Sequence, residues 1–465
     1  MQPGIGALRA ALIVPALIVL TACDLLDDLP VGKAYAAKQL CSFVFTSGLD
    51  ETLVREQFIK PKVQPLPWIW QVALDREAGS VRVGDILTAE DQDAVALYQD
   101  GRGCTLLVDQ PATAITHHSI EPLAAPVLDP ARPWPHGAGG PAPPVVGVDY
   151  QQLQAAIDRG FAEREAGTVL THSVLVAWNG QLLAEQYALG VDAQTPLPGW
   201  SMTKTITGTL AGILVGDGVL ALDAPAPVPQ WQDTKKANIT LRHLLQMTSG
   251  LEVNEDYGGF SDVTQMLYRE SNQYAYALRQ PVVTAPNVAF EYSTAETNRL
   301  GSVIQAAVGG TAQAMYEFYQ QRLFHPLGIT RGLVEFDATG HFVGGAYGYM
   351  PARDWARLGQ LYLQEGRWQG RALLPAEWVA FATRPSPVSE KYGAQIWLNT
   401  GGNRWPRVPH DAYAMVGHQG QRVVVIPSRQ LVLVRTGVTE DRELQQQVMA
   451  ELLEGVLAAL PEPAS

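Results

Sequence analysis

Between residues 146 and 465 the apolar positions recur with two periods. Leu153, Ile157 and Phe161 fall four apart, as on the inner face of an amphipathic helix. The runs Ser173 to Trp178 and Gln181 to Tyr187 flank Asn179-Gly180, the strongest short signal for a hairpin. Val423 to Ile426 and Leu431 to Val434 flank Pro427-Ser428-Arg429-Gln430, which predicts a second hairpin. Leu444, Val448 and Leu452 share one face, with Met449, Leu453 and Val456 alongside, so a helix follows it. The stretches between are mostly helical. In Pro351 to Gln364, for example, Pro351 suits a first turn and Gly366 a C-terminal stop. These elements predict an α/β (α+β) domain, an antiparallel sheet flanked by terminal helices and carrying a helical insertion.

Upstream, helical periodicity is poor. Short apolar or alternating runs at Ser42 to Phe45, Trp68 to Leu74, Ser80 to Val83 and Cys104 to Val108 predict a small β-rich unit over 23–121. Residues 122–145 carry Pro126, Pro130, Pro133, Pro135, Pro141 and Pro143 with Gly137, Gly139 and Gly140, as in a linker or a strap across the surface. A chain of 465 residues is also long for one core. The expected order is a leader over 1–22, the β-rich unit, the Pro/Gly segment, and the larger domain over 146–465.

The net charge of −13 and the lack of a Lys/Arg cluster exclude nucleic acid as a partner. Arg9 precedes an apolar run, Ala10 to Leu20, interrupted by Pro15 and too short to span a bilayer comfortably. The run ends in Leu20-Thr21-Ala22-Cys23, which resembles the lipobox of bacterial lipoproteins. That resemblance implies lipidation of Cys23 and anchoring in the cell envelope, facing the periplasm, and Asp24 resembles an inner-membrane retention signal. An ordinary cleaved leader is the alternative. With Cys23 acylated, Cys41 and Cys104 remain, and an oxidising compartment favours a disulfide over two buried thiols.

Three elements carry candidate chemistry. In Trp200-Ser201-Met202-Thr203-Lys204, a helix starting near Ser201 puts Lys204 one turn on, on the same face. A serine hydroxyl needs a base, and a lysine serves only if burial or a nearby cation depresses its pKa. Ile206, Leu210, Ile213 and Leu214 supply that burial. Ser-x-x-Lys alone also describes an N-cap serine with a surface lysine. The second element is Phe290-Glu291-Tyr292-Ser293, where a tyrosine ahead of a helix can relay a proton; a core tyrosine is the plainer reading. The third, Val416-Gly417-His418-Gln419-Gly420-Gln421, runs into the strand at Val423. On an edge strand His418 and Gly420 would face one side, with glycine admitting a substrate against the backbone. The N–H groups of Ser201 and Gln421 would then form an oxyanion hole.

In this order the three elements resemble the serine-acylating superfamily of β-lactamases, D,D-peptidases and related esterases and amidases, the class C branch above all. The resemblance spans about residues 146–460 and includes Leu244 to Leu251, Leu-Leu-Gln-Met-Thr-Ser-Gly-Leu, similar to that branch's Leu-Leu-x-His-Thr-Ser-Gly-Leu. It implies a β-lactamase/transpeptidase-like fold, Ser201 as the acylated nucleophile, Lys204 as its base, Tyr292 as the partner acid/base, and no cofactor.

Two departures bear on the substrate. Thr294 stands where that branch has the Asn of Tyr-x-Asn, and His418-Gln419-Gly420 where it has Lys-Thr-Gly. A lysine there is a fixed cation for a substrate carboxylate, whereas a histidine is mostly neutral near pH 7. The expected substrate is therefore a less acidic small ester, amide or peptide; the His-x-Gly form also resembles esterases and hydrolases of short nylon-type amides. A D,D-peptidase or weak penicillin-binding protein is the rival enzyme, and a lipid-anchored binder without turnover the non-enzymatic alternative.

Glu296 and Asn298 border the expected pocket or cap the following helix, and Tyr257, ahead of Gly258-Gly259, is a candidate lid or a surface loop. His117 and His118 face opposite ways in a strand, and no metal-ligand spacing is present, so no metal is expected. Trp231 and Trp355 read as core.

Overall fold

The computed structural model describes residues 28–164 and 168–462, so the leader and Cys23 lie outside the described residues. The chain begins with helix α1 (28–41), which runs into a π-helical turn, Ser42–Thr46. The expected strand at Ser42 to Phe45 is thus helical. Nearly every residue of α1 is buried, with Ala34, Ala36, Ala37 and Leu40 turned into the interior on several sides. A helix buried all round has no amphipathic stripe, which is why its period is invisible in the sequence. The β-rich expectation holds further on, where β1 (Trp70–Asp75), β2 (Ser80–Asp85), β3 (Ala94–Gln99) and β4 (Gly103–Leu106) form an antiparallel meander. The Cys41–Cys104 disulfide joins α1 to β4.

This unit does not keep a core to itself. Tyr35, Phe43 and Phe58 pack in one cluster with Trp200, Val263, Met266 and Tyr347 from the larger domain. At the junction the buried carboxylate of Glu335 takes Lys38 as ion partner and accepts from Ser42 Oγ at 3.0 Å, Thr46 Oγ1 at 3.1 Å and the Cys104 amide at 2.9 Å. Arg102 donates to the carbonyls of Ile115 and His118, 3.2 and 3.1 Å away, and to that of Asp337. The Pro/Gly segment is a strap without helix or strand over 117–149. Trp134 is buried beneath it, and Arg357 ties it down by donating to the carbonyls of Pro135 and Gly137 at 2.9 and 2.8 Å.

The larger domain is built on an antiparallel sheet of β5 (Leu170–Trp178), β6 (Gln181–Tyr187), β7 (Trp397–Leu398), β8 (Tyr413–Val416), β9 (Arg422–Ile426) and β10 (Leu431–Val438). Its spatial order is β7-β8-β9-β10-β5-β6. Both hairpins form as the pattern demands. Asn179 and Gly180 both have positive φ, 48° and 74°, the turn conformation an Asn-Gly pair adopts at least strain. The central strands are apolar throughout because both faces are covered. Val423, Val425, Val432 and Val434 face one core, and Val424, Ile426, Leu431 and Leu433 the other. Helices α2 (Tyr150–Phe161) and α6 (Arg442–Ala459) cover the second face. Helices α3 (Thr203–Gly216), α4 (Thr294–Ala307) and α5 (Ala352–Leu363) form the layer on the first. Among the described residues no helix is long and apolar enough to cross a membrane.

Candidate active site

The sheet and α3 meet at Ser201. Trp200–Met202 is a single 3-10 turn feeding directly into α3, so Lys204 sits one turn beyond the serine on the same face. Trp200, just before Ser201, holds φ at +48°, a left-handed conformation that strains a bulky side chain and marks an over-determined site. Its indole stacks parallel to Tyr35 of α1, with centroids 6.4 Å apart, and meets His418 edge-on at 5.6 Å.

Lys204 is buried, and its Nζ donates to Ser201 Oγ at 3.0 Å, Thr294 Oγ1 at 2.9 Å and the carbonyl of Gly345 at 2.8 Å. All three acceptors are neutral. Burial brings the amine down to about 8, against the opposing pull of the Glu255 carboxylate. Glu255 accepts from the backbone N–H of Thr294 at 2.8 Å and from its hydroxyl, lying where the first turn of α4 presents free N–H groups. The ring of Tyr292 stands 5.0 Å from Lys204 Nζ. Burial raises its phenol well above the usual tyrosine range, and a hydrogen bond with Ser201 partly opposes that rise.

Tyr257 belongs to the site rather than to a remote loop. Its hydroxyl lies 3.0 Å from both Glu255 Oε1 and Thr294 Oγ1, and its ring stacks on His418 at 5.2 Å. Ser201, Glu255, Tyr257, Tyr292, Trp397, Arg404 and His418 line one cavity of about 440 Å³.

The third element differs from expectation. His418–Gly420 is a 3-10 turn between β8 and β9 with Gln419 at φ +59°, not part of an edge strand, so His418 and Gly420 do not alternate along a pleat. Gly420 makes room for protein rather than substrate: a Cβ there would strike the Arg435 guanidinium. Gln421 is only 2 % exposed, its side chain bonds both ways to the Gly437 backbone, and its amide points toward the His418 carbonyl at 3.5 Å. It is therefore turned away from the cavity. Burial and the cations of Lys62, Arg442 and Arg422 drive the His418 imidazole down to about 3, and its Nε2 is buried without a partner among the described residues.

Glu296 and Asn298 do not border the cavity. The cap of α4 is Ser293, whose Oγ accepts from the amides of Ala295 and Glu296. Glu296 is buried against Ser249 and Arg299, and Asn298 Oδ1 accepts from the Gly345 amide at 3.2 Å, which holds the carbonyl that Lys204 uses. Sequence reasoning missed Glu255, Gly345, Trp397 and Arg404. The Thr294 departure was visible, and its role is to supply a neutral oxygen to Lys204. Arg404 lies 4.8 Å over the Trp397 ring with no ion pair among the described residues. Trp397 in turn packs 5.0 Å from Tyr292.

A serine and a buried amine at hydrogen-bond distance, on a helix against an antiparallel sheet, define the β-lactamase/transpeptidase-like fold. Residues 157–443, more than half of the chain, match the Beta-lactamase family, and the chain belongs to it. No curated protein matches the sequence. A Bacillus anthracis protein described as a proposed 6-aminohexanoate-dimer hydrolase superposes with a TM-score of 0.56 at 21% identity, over 74% of this chain and 89% of its own. A penicillin-binding protein homologue from Caulobacter crescentus gives 0.54 at 17%, over 69% and 99%. A family VIII carboxylesterase gives 0.53 at 17%, also over 69% and 99%.

Proposed function

We propose that this chain is a class C-like serine hydrolase that cleaves small carboxylic esters or amides through an acyl-enzyme. The observation that carries the reading is Lys204 Nζ at 3.0 Å from Ser201 Oγ in a buried site. With the amine brought down to about 8, about a tenth of it is neutral at pH 7 and able to accept a proton. Lys204 takes the Ser201 proton as Oγ bonds to the carbonyl carbon. Tyr292 then protonates the departing oxygen or nitrogen, the carbonyl re-forms on Ser201, and the Lys204 proton returns to Tyr292. Water reverses the sequence: it loses a proton to the same pair, bonds to the acyl carbon, and Ser201 leaves with its hydrogen restored. The amides of Ser201 and His418 stabilise the oxyanion. The His418 amide replaces that of Gln421, since it lines the cavity and donates to no acceptor among the described residues.

Arg404 supports a second reading, D,D-peptidase or penicillin-binding activity. It puts an unpaired cation beside Tyr292, where a leaving group bearing a carboxylate would sit. In either case the lipobox-like Cys23 supports attachment to the bacterial envelope, which labelling with an alkynyl fatty acid and loss of label in Cys23→Ser tests. A fluorophosphonate probe with intact-mass readout tests the enzyme: one adduct on the wild type and none on Ser201→Ala supports it, and no adduct on either leaves a binding protein. Nitrocefin against short-chain nitrophenyl esters then ranks the two enzymatic readings.

A further inference from the structure

The catalytic cavity has two unlike ends. Tyr292, Trp397 and Arg404 pack together at one, and Trp200, Tyr257 and His418 at the other. Since Tyr292 serves the leaving group, the acyl part of a substrate faces the second end. Behind it lies another cavity, of about 220 Å³, and Tyr257 and His418 line both, forming the partition between them. The far walls come largely from the N-terminal unit, with Val31, Tyr35, Val63 and Leu66 facing Trp200 and Tyr268. All four wall residues of that unit precede the stretch that matches the family.

The charged and amide groups at the rim of this second cavity have partners within the protein. Asp28 accepts from the Phe260 amide at 2.7 Å, and Lys62 pairs with Glu440 at 3.7 Å. The Tyr35 hydroxyl donates to the Phe58 carbonyl at 3.3 Å, and Gln64 accepts from Trp68 at 3.3 Å. Two buried polar atoms are left over, Trp200 Nε1 and His418 Nε2, and both belong to the end of the site nearest Ser201. The wall of Val31, Tyr35, Val63, Leu66, Trp200 and Tyr268 is mainly carbon, and an apolar ligand packs against it without stranding a polar group.

We propose that the N-terminal unit completes the active site with an acyl-chain subsite, so that the substrates are esters or amides of medium-length apolar carboxylic acids. The subsite rests on the serine-hydrolase reading. The partition opens at Tyr257, which is carried on the irregular segment 252–260 ahead of two glycines. An acyl chain then threads past Trp200 with its carbonyl carbon at Ser201 and its tail between α1 and Tyr268.

The test compares nitrophenyl octanoate with nitrophenyl acetate on the full chain. In the wild type kcat/KM favours octanoate, and in Val31→Trp, which fills the cavity, the octanoate-to-acetate ratio falls at least about ten-fold, in line with losing an apolar pocket. Leu66→Phe, at a half-buried position, lowers the same ratio if Val31→Trp does not fold. An unchanged ratio in a folded variant overturns the subsite. An assay without turnover separates this failure from failure of the enzymatic reading: in isothermal titration calorimetry Ser201→Ala binds octanoate as the probe, and adding Val31→Trp abolishes binding. If the probe binds in this way but fluorophosphonate labels nothing, the cavity stands and the hydrolase falls; if the probe does not bind Ser201→Ala, the acyl-chain subsite is overturned.

Discussion

Lys38 and Lys204 both lie fully inside this protein, and their surroundings make them opposites. Burial lowers the pKa of Lys38, and the Glu335 carboxylate pressed against it opposes that fall. Lys204 has only neutral oxygens within hydrogen-bond reach, and burial brings it to about 8. The first is held in an ion pair that fastens the N-terminal unit to the larger domain. The second is an amine that can give up its proton. Burial alone does not make a base; the charge of the nearest acceptor decides.

The comparison breaks most visibly at Lys204. Lys204→Met should lower kcat/KM for nitrophenyl esters about a thousand-fold or more while unfolding at nearly the wild-type denaturant midpoint. Glu335→Gln should do the reverse, leaving Lys38 buried and unpaired at a cost of about 3–5 kcal/mol in denaturant unfolding. Pairing Lys38→Met with Glu335→Leu should recover most of that loss.

The pH dependence sharpens the contrast. The reactive form of Lys204 is neutral, so kcat/KM should rise with pH and level off above about 8. Glu255 favours the charged amine, so Glu255→Gln should shift that midpoint to lower pH, and an upward shift would mean that Lys204 is not the titrating group. The smallest effect belongs to Thr294. Thr294→Val removes one neutral acceptor and should lower kcat about five-fold, while Thr294→Ser should restore it.

What the chain discloses beforehand depends on how local the cause is. The Asn179-Gly180 turn, the strands around Pro427 and the face of α6 are set by neighbours within a few residues, and all three form where the pattern puts them. Ser201 and Lys204 are one helical turn apart, so their meeting was legible as well. Helix α1 was not, because its apolar residues are spread around its axis to meet partners on several sides. Glu255 was equally hidden: it reaches Thr294 from an irregular segment 39 positions earlier, and no periodicity links the two. The turn at His418 was misread as strand because Gln419 adopts a positive φ that its residue type does not advertise.

Gly420 sets how this wall of the site can diversify. Its φ of +90° and the Arg435 guanidinium pressed against its Cα leave no volume for any side chain, and its carbonyl is already claimed by Arg435 at 3.0 Å. Position 420 is thus frozen by a strand behind it, while 418 and 257 line the two cavities. Change at this wall is therefore open to the stacked pair and closed to the glycine beside it.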